Sequence, residues 1–65
     1  VILVNGAPRE AAPGLTVLGL VRALGLDPAR VAVELNGSVV ARDAFAATPV
    51  LDGFKAEIVH FVGGG

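Results

Sequence analysis

Apolar and polar positions change period several times along this chain, and each change marks an element. Val1-Ile2-Leu3-Val4 is an unbroken apolar run that ends at Asn5-Gly6. That pair favours a two-residue hairpin, because the matching turn needs positive φ at both central positions. Ala7 to Ala12 then returns antiparallel, and Pro8, which has no N–H to give a ladder, assigns the return to a sheet edge. Pro13-Gly14 closes it. From Thr16, whose hydroxyl suits a helix N-cap, the period becomes helical: Val17, Leu20, Val21 and Leu24 form a stripe, Leu18 widens it, and Arg22 faces solvent. Gly25 is placed to end the helix in a left-handed conformation.

Beyond a loop opened by Asp27-Pro28, the period drops to two. Val31, Val33 and Leu35 alternate with Ala32 and Glu34, the pattern of a half-buried strand. Asn36-Gly37 repeats the hairpin signal and leads into Val39-Val40. Arg42 to Ala47 suits a short helical turn that inserts Phe45, with Pro49 as its stop. After Asp52-Gly53, Phe54 to Val62 reads as a final strand. Its alternation puts Ala56, Ile58, His60 and Val62 on one face and Lys55, Glu57, Val59 and Phe61 on the other.

This order predicts an α+β domain with a mixed sheet of four to five strands and one main helix packed across a single face. The first strand, apolar on both sides, belongs inside the sheet, with the last strand beside it in parallel. Leu3, Val59 and Phe61 then fall on the face turned away from the helix, where an exposed apolar patch marks a partner surface.

Composition narrows the chemistry. With no Cys among 65 residues, the chain has no disulfide, thiolate metal site or cysteine nucleophile. A net charge of −1 with singly scattered Lys and Arg offers no stripe for a phosphate backbone, so nucleic acid is not an expected ligand. Although 54% of the residues are hydrophobic, no run approaches the roughly 20 residues of a membrane span. The opening apolar run is too short for a signal peptide, which makes a cytoplasmic location the expectation. His60 has no nucleophile and no convincing carboxylate partner near it in sequence, and reads as a strand residue rather than a general base. Glu34 and Glu57 read as solvated strand charges or partner contacts. No catalytic residue and no metal ligand is expected.

The end of the chain, Phe61-Val62-Gly63-Gly64-Gly65, runs from a strand into side-chain-free residues. Glycines suit an extended segment that threads a narrow enzyme channel, and they leave the Gly65 carboxylate open to attack. They equally suit a loose end or a linker, and the residues alone leave both readings open.

Taken together, several segments resemble ThiS-type sulfur carriers: the start Ile2-Leu3-Val4-Asn5-Gly6, Thr16-Val17 with Leu20 and Leu24, and Val33-Glu34-Leu35-Asn36-Gly37. Val40-Ala41-Arg42, Asp52-Gly53 and the closing Glu57 to Gly65 complete the set. The chain departs from the family pattern at Phe54-Lys55-Ala56 and at Ala41, where Pro-Arg is common in place of Ala41-Arg42. The resemblance implies a ubiquitin-like β-grasp domain over residues 1–62 and a flexible glycine tail over 63–65. It implies a protein substrate rather than an enzyme, with no bound cofactor. ATP is used by a partner, a ThiF-like adenylyltransferase, which makes an acyl-adenylate at Gly65. Sulfur that originates from a cysteine desulfurase then yields a thiocarboxylate for a ThiG-like thiazole synthase in thiamine synthesis. Gly63 and Gly64 thread the partner's channel. Related carriers of the MoaD type, which serve molybdopterin synthesis or tRNA thiolation, share this tail chemistry, and an unmodified ubiquitin-like interaction module is the remaining alternative.

Overall fold

The protein, a computed structural model, is described over residues 1–62, and the tail 63–65 lies outside the described residues. Its strands are β1 (Ile2–Val4), β2 (Ala7–Arg9), β3 (Val31–Leu35), β4 (Ser38–Val40) and β5 (Lys55–His60), with one α-helix, α1 (Val17–Ala23). They form one five-stranded sheet in the order β2-β1-β5-β3-β4. β5 runs parallel to β1 and antiparallel to β3.

Both hairpins turn as their Asn-Gly pairs predict. Asn5 and Gly6 have φ of 49° and 82°, and Asn36 and Gly37 have 51° and 86°. These values match the turn whose twist suits antiparallel strands, at positions where Asn and Gly tolerate positive φ best.

α1 is short and firmly capped. Thr16 Oγ1 accepts from Gly19 N at 3.1 Å. The two amides before it, Val17 N and Leu18 N, donate to Thr48 O and Phe45 O at 2.9 and 3.0 Å, so the segment after β4 satisfies donors that the helix cannot satisfy itself. At the other end Gly25, with φ of 75°, lets Gly25 N reach Arg22 O and Leu26 N reach Val21 O. This is a double-bonded C-terminal cap, in which Leu26 packs back on the core.

One face of the sheet is covered. Ile2, Val4, Val31, Val33, Leu35, Ala56 and Ile58 are buried against Val17, Leu20 and Val21 of α1, with Phe45 and Val50 closing the end. Strands β1 and β3 alternate buried and exposed residues without a fault. Leu18 and Leu24 are half-buried at the rim and Arg22 is exposed, as the stripe requires.

Four elements differ from the sequence expectation. The last strand stops at His60 rather than Val62, and His60 and Val62 are exposed instead of sharing the buried face of Ala56 and Ile58. β1 is already paired out at Val4↔Ala56, so beyond Ile58 the strand has only β3 beside it and the core no longer covers it. β2 spans three residues rather than reaching Ala12, and all three are exposed. The loop at Asp27-Pro28 contains a 3₁₀ turn, Pro28–Arg30, capped by Asp27 through Ala29 N at 2.9 Å. The helical turn expected to Ala47 is a 3₁₀ turn over Arg42–Ala44, followed by the buried Phe45. Arg42 holds these pieces together, donating from Nε to Pro28 O at 3.1 Å and from Nη2 to Val31 O at 3.3 Å.

Leu20, 1% exposed at the centre of the α1 stripe, is the largest of the helix's buried side chains. Leu20→Ala is expected to cost about 2–5 kcal/mol through lost burial and a residual cavity. Urea unfolding should show a lower midpoint at unchanged slope. A loss under about 1 kcal/mol would mean that α1 is held by its caps rather than its core face.

Candidate functional site

The side of the sheet opposite α1 carries the candidate partner residues. Leu3, Val59 and Phe61 are 39%, 58% and 54% exposed. Cross-strand register sets their spacing. Leu3 is level with Lys55, whereas Val59 is level with Ala32 of β3. Four residues of β5 therefore separate the levels of Leu3 and Val59, about 13 Å at the usual strand rise. Val59 and Phe61 stand together near the tail, while Leu3 stands beside Lys55 at the other end of the face, with Glu57 between the two levels.

The register also adds Val39 to this face, which reading strand by strand missed, and shows which residues meet across it. Glu34 of β3 is paired with Glu57 of β5 and, on its other side, with Val39 of β4. Val39 is 76% exposed. The two-residue Asn36-Gly37 turn, which sets Leu35 opposite Ser38 and hence Glu34 opposite Val39, carried that information in the sequence. Two carboxylates directly opposite one another repel, which a free sheet face gains nothing by keeping. An open depression lined by Glu34, Asn36, Gly37, Gly53, Lys55 and Glu57 occupies the end of this face where β5 begins. The tail leaves from the other end of β5.

The route to the tail is set by β5 and its flanks. Phe61 N donates to Arg30 O at 2.8 Å, which carries the β3 side of the ladder one residue past the strand. On the β1 side the last bonds are made by a side chain: Ile58 N donates to Asn5 Oδ1 at 2.7 Å, and Asn5 Nδ2 donates to Ile58 O at 3.1 Å. Asn36 acts similarly at the start of the strand, where Lys55 N donates to Asn36 Oδ1 at 2.9 Å. From the sequence alone both asparagines read only as turn formers. Gly63, Gly64 and Gly65, the candidate threading and modification residues, lie outside the described residues.

His60 is exposed at the end of β5, and the ion pairs among the described residues are Val1 with Asp52 and Arg30 with Asp27. No group of three His, Cys, Asp or Glu among the described residues is placed to hold a metal ion. Among the described residues no helix is long and apolar enough to cross a membrane. What the arrangement offers is a capped, densely cored body with one uncovered sheet face and a central strand, β5, that leads toward the closing glycines.

A mixed five-stranded sheet grasping a single helix, with its middle strand running out into glycines, is the ubiquitin-like β-grasp architecture. The chain belongs to the ThiS family, whose model matches residues 2–65. A crystal structure of the thiamine biosynthesis protein ThiS from Geobacter metallireducens superposes with a TM-score of 0.80 at 43% identity, covering 98% of this chain and 97% of that one. A thiazole synthase from Magnetococcus marinus is 44% identical over 64 residues, and one from Paramagnetospirillum magneticum is 42% identical over the same length. Each of those matches covers 98% of this chain but 20% of the synthase, so the chain spans about a fifth of the length of these curated relatives.

Phe61 and Ile58, three residues apart, should separate the two faces of the strand in a stability measurement. Phe61→Ala is expected to change unfolding free energy by no more than about 0.5 kcal/mol. Ile58→Ala, at a site 7% exposed, should lose about 2–5 kcal/mol. Denaturant unfolding of both variants checks this, and a large loss for Phe61→Ala would move that ring into the core.

Proposed function

We propose that this protein is a sulfur carrier for assembly of the thiazole of thiamine, and that the Gly65 α-carboxylate is the group that is loaded. The observation that carries the reading is the family match, which runs through the closing glycines to residue 65. The thiazole synthases among the relatives favour the thiazole branch over molybdopterin or tRNA thiolation.

A carboxylate is a poor acyl donor until one of its oxygens becomes a leaving group. In this reading a ThiF-like adenylyltransferase joins the Gly65 carboxylate to the α-phosphate of ATP and releases pyrophosphate. Sulfur that originates from a cysteine desulfurase then replaces the adenylate at the acyl carbon, and AMP leaves. The thiocarboxylate passes its sulfur to a thiazole synthase. The carrier supplies position rather than a catalytic group: its body docks, and the tail holds one carboxylate against another protein's reacting atoms, where fixed geometry lowers the barrier. Gly63 and Gly64 let the backbone pass a channel that a Cβ would block.

Val59 and Phe61 are the docking residues best placed for this, because they are exposed, apolar and adjacent to the point where the tail departs. Leu3 extends the same face at a distance. Aromatic anchors of this kind dominate many interfaces.

Incubation with a ThiF-like enzyme, ATP and a sulfur source is expected to replace one oxygen by sulfur at Gly65, visible by intact mass and mapped by fragmentation. A variant lacking Gly65 should stay unmodified. Sulfur on a side chain, or equal loading of the truncated variant, would sink the carrier reading. For docking, Phe61→Ala should cost on the order of 2 kcal/mol in affinity for the adenylyltransferase or the synthase, measured by titration calorimetry. Unchanged affinity for both would remove Phe61 from the interface.

A further inference from the structure

We infer that Asn5 is a positioning residue: through Ile58, its carboxamide braces the β1 flank of β5 and so sets the direction in which residues 61–62 leave the sheet and carry the tail to a partner. The inference rests on the carrier reading. The backbone ladder between β1 and β5 ends at Val4↔Ala56, with Asn5 N donating to Ala56 O at 2.9 Å. The next rung is made by the Asn5 side chain alone, which accepts from Ile58 N at 2.7 Å and donates to Ile58 O at 3.1 Å. A primary amide holds an acceptor and a donor side by side, as a strand's backbone does, so it substitutes for a residue that β1 does not have.

Turn chemistry does not explain this choice. Asp or Gly also serves at the first central position of such a hairpin, but Asp has no donor for Ile58 O and Gly has neither group. Asn36, at the equivalent place in the other hairpin, uses its side-chain oxygen on Lys55 N, at the start of β5. Past Ile58, the bond from Phe61 N to Arg30 O at 2.8 Å holds the β3 side. The β3 flank is also laddered through Ala32↔Val59 and Val31↔His60, whereas on the β1 flank the Asn5 side chain is the last contact that aims the segment. Misplacing a reacting group by about 1 Å can cost as much as a hundredfold in rate.

The test measures carrier-dependent adenylation by the adenylyltransferase at a temperature where circular dichroism shows every variant folded. Asn5→Gly keeps the positive-φ turn and removes both bonds. It is expected to lower kcat about tenfold, with the carrier's KM changed by a smaller factor. Asn36→Gly, which loosens the far end of the same strand, should keep kcat within about twofold, as a general loss of stability would not. Asn5→Asp, retaining only the acceptor, should fall between wild type and Asn5→Gly, and it stands in if the glycine variant does not fold. Amide exchange supplies a readout free of the enzyme: Phe61 N–H should lose protection in Asn5→Gly and keep it in Asn36→Gly. Wild-type kcat in the Asn5 variants, or equal losses at Asn5 and Asn36, would overturn the proposal. Failure of the wild-type chain to be adenylated would instead overturn the carrier reading, and the exchange result would still decide whether Asn5 aims the strand.

Discussion

The insertion of β5 between β1 and β3 closes the sheet. Without it the protein has two separate hairpins, β1-β2 and β3-β4, and an isolated two-stranded hairpin is marginal in water. The contacts that β5 makes are long-range: Leu3 is level with Lys55 and Val4 with Ala56. Nearly the whole chain must therefore be collected before β1 gains its second flank, a topology that raises the cost of closure before it is rewarded. Ala56, fully buried, and Ile58 place this strand under α1, so sheet pairing and core formation are completed by the same six residues. The two asparagines make that insertion specific. Each begins a hairpin turn and also bonds the backbone of β5, so the geometry of a local turn fixes the register of a distant strand.

This division also marks what the sequence could tell. Elements held by contacts within about four residues were legible: both Asn-Gly hairpins, the Thr16 cap, the α1 stripe and the Gly25 stop. Burial periodicity in β3 was legible too, because a strand covered on one face alternates and nothing interrupts it. Phe45 was correctly read as an anchor although its helical turn was shorter than expected. The parts that were missed depend on where a remote backbone lies. Nothing near Asn5 in sequence announces that its amide will meet Ile58, and nothing near Arg42 announces Pro28 O and Val31 O. The end of β5 failed for the same reason. The alternation of Phe54 to Val62 is faultless as a pattern, yet whether His60 is covered depends on where β1 ends, and β1 is short because its turn begins at Asn5. For the candidate site, exposure of Val59 and Phe61 followed from that alternation. The separation of Leu3 from them and the meeting of Glu34 with Glu57 required the register.

An uncovered sheet face with exposed apolar side chains carries an aggregation risk, and the edges show how it is contained. Pro8 in β2 cannot donate to an added strand, and β2 and β4 are each three residues long. The charges Lys55, Glu57 and Glu34 interrupt the apolar residues on the face itself. A partner with its own matching groups can satisfy this mixture, whereas stacking against a second copy would set Glu34 and Glu57 against a like pair. If the face docks a partner as proposed, its selectivity would come from what it repels as well as from Val59 and Phe61.

The same unit occurs in two settings among its relatives: as nearly all of a solved ThiS chain and as about a fifth of two thiazole synthases. The physical basis lies in how the body closes on itself. From Ile2 to Ile58 the buried residues form one cluster, and no buried side-chain polar atom among the described residues lacks a hydrogen-bond partner. Such a body needs no neighbour to complete its core, so joining it to another domain changes the concentration at which it meets a site rather than its fold. A separate carrier must find each partner by diffusion and then leave, which favours interfaces of modest strength. On the proposed carrier reading, that requirement fits a face of few apolar side chains broken by charge, beside a strand that leads to the tail from the middle of the sheet.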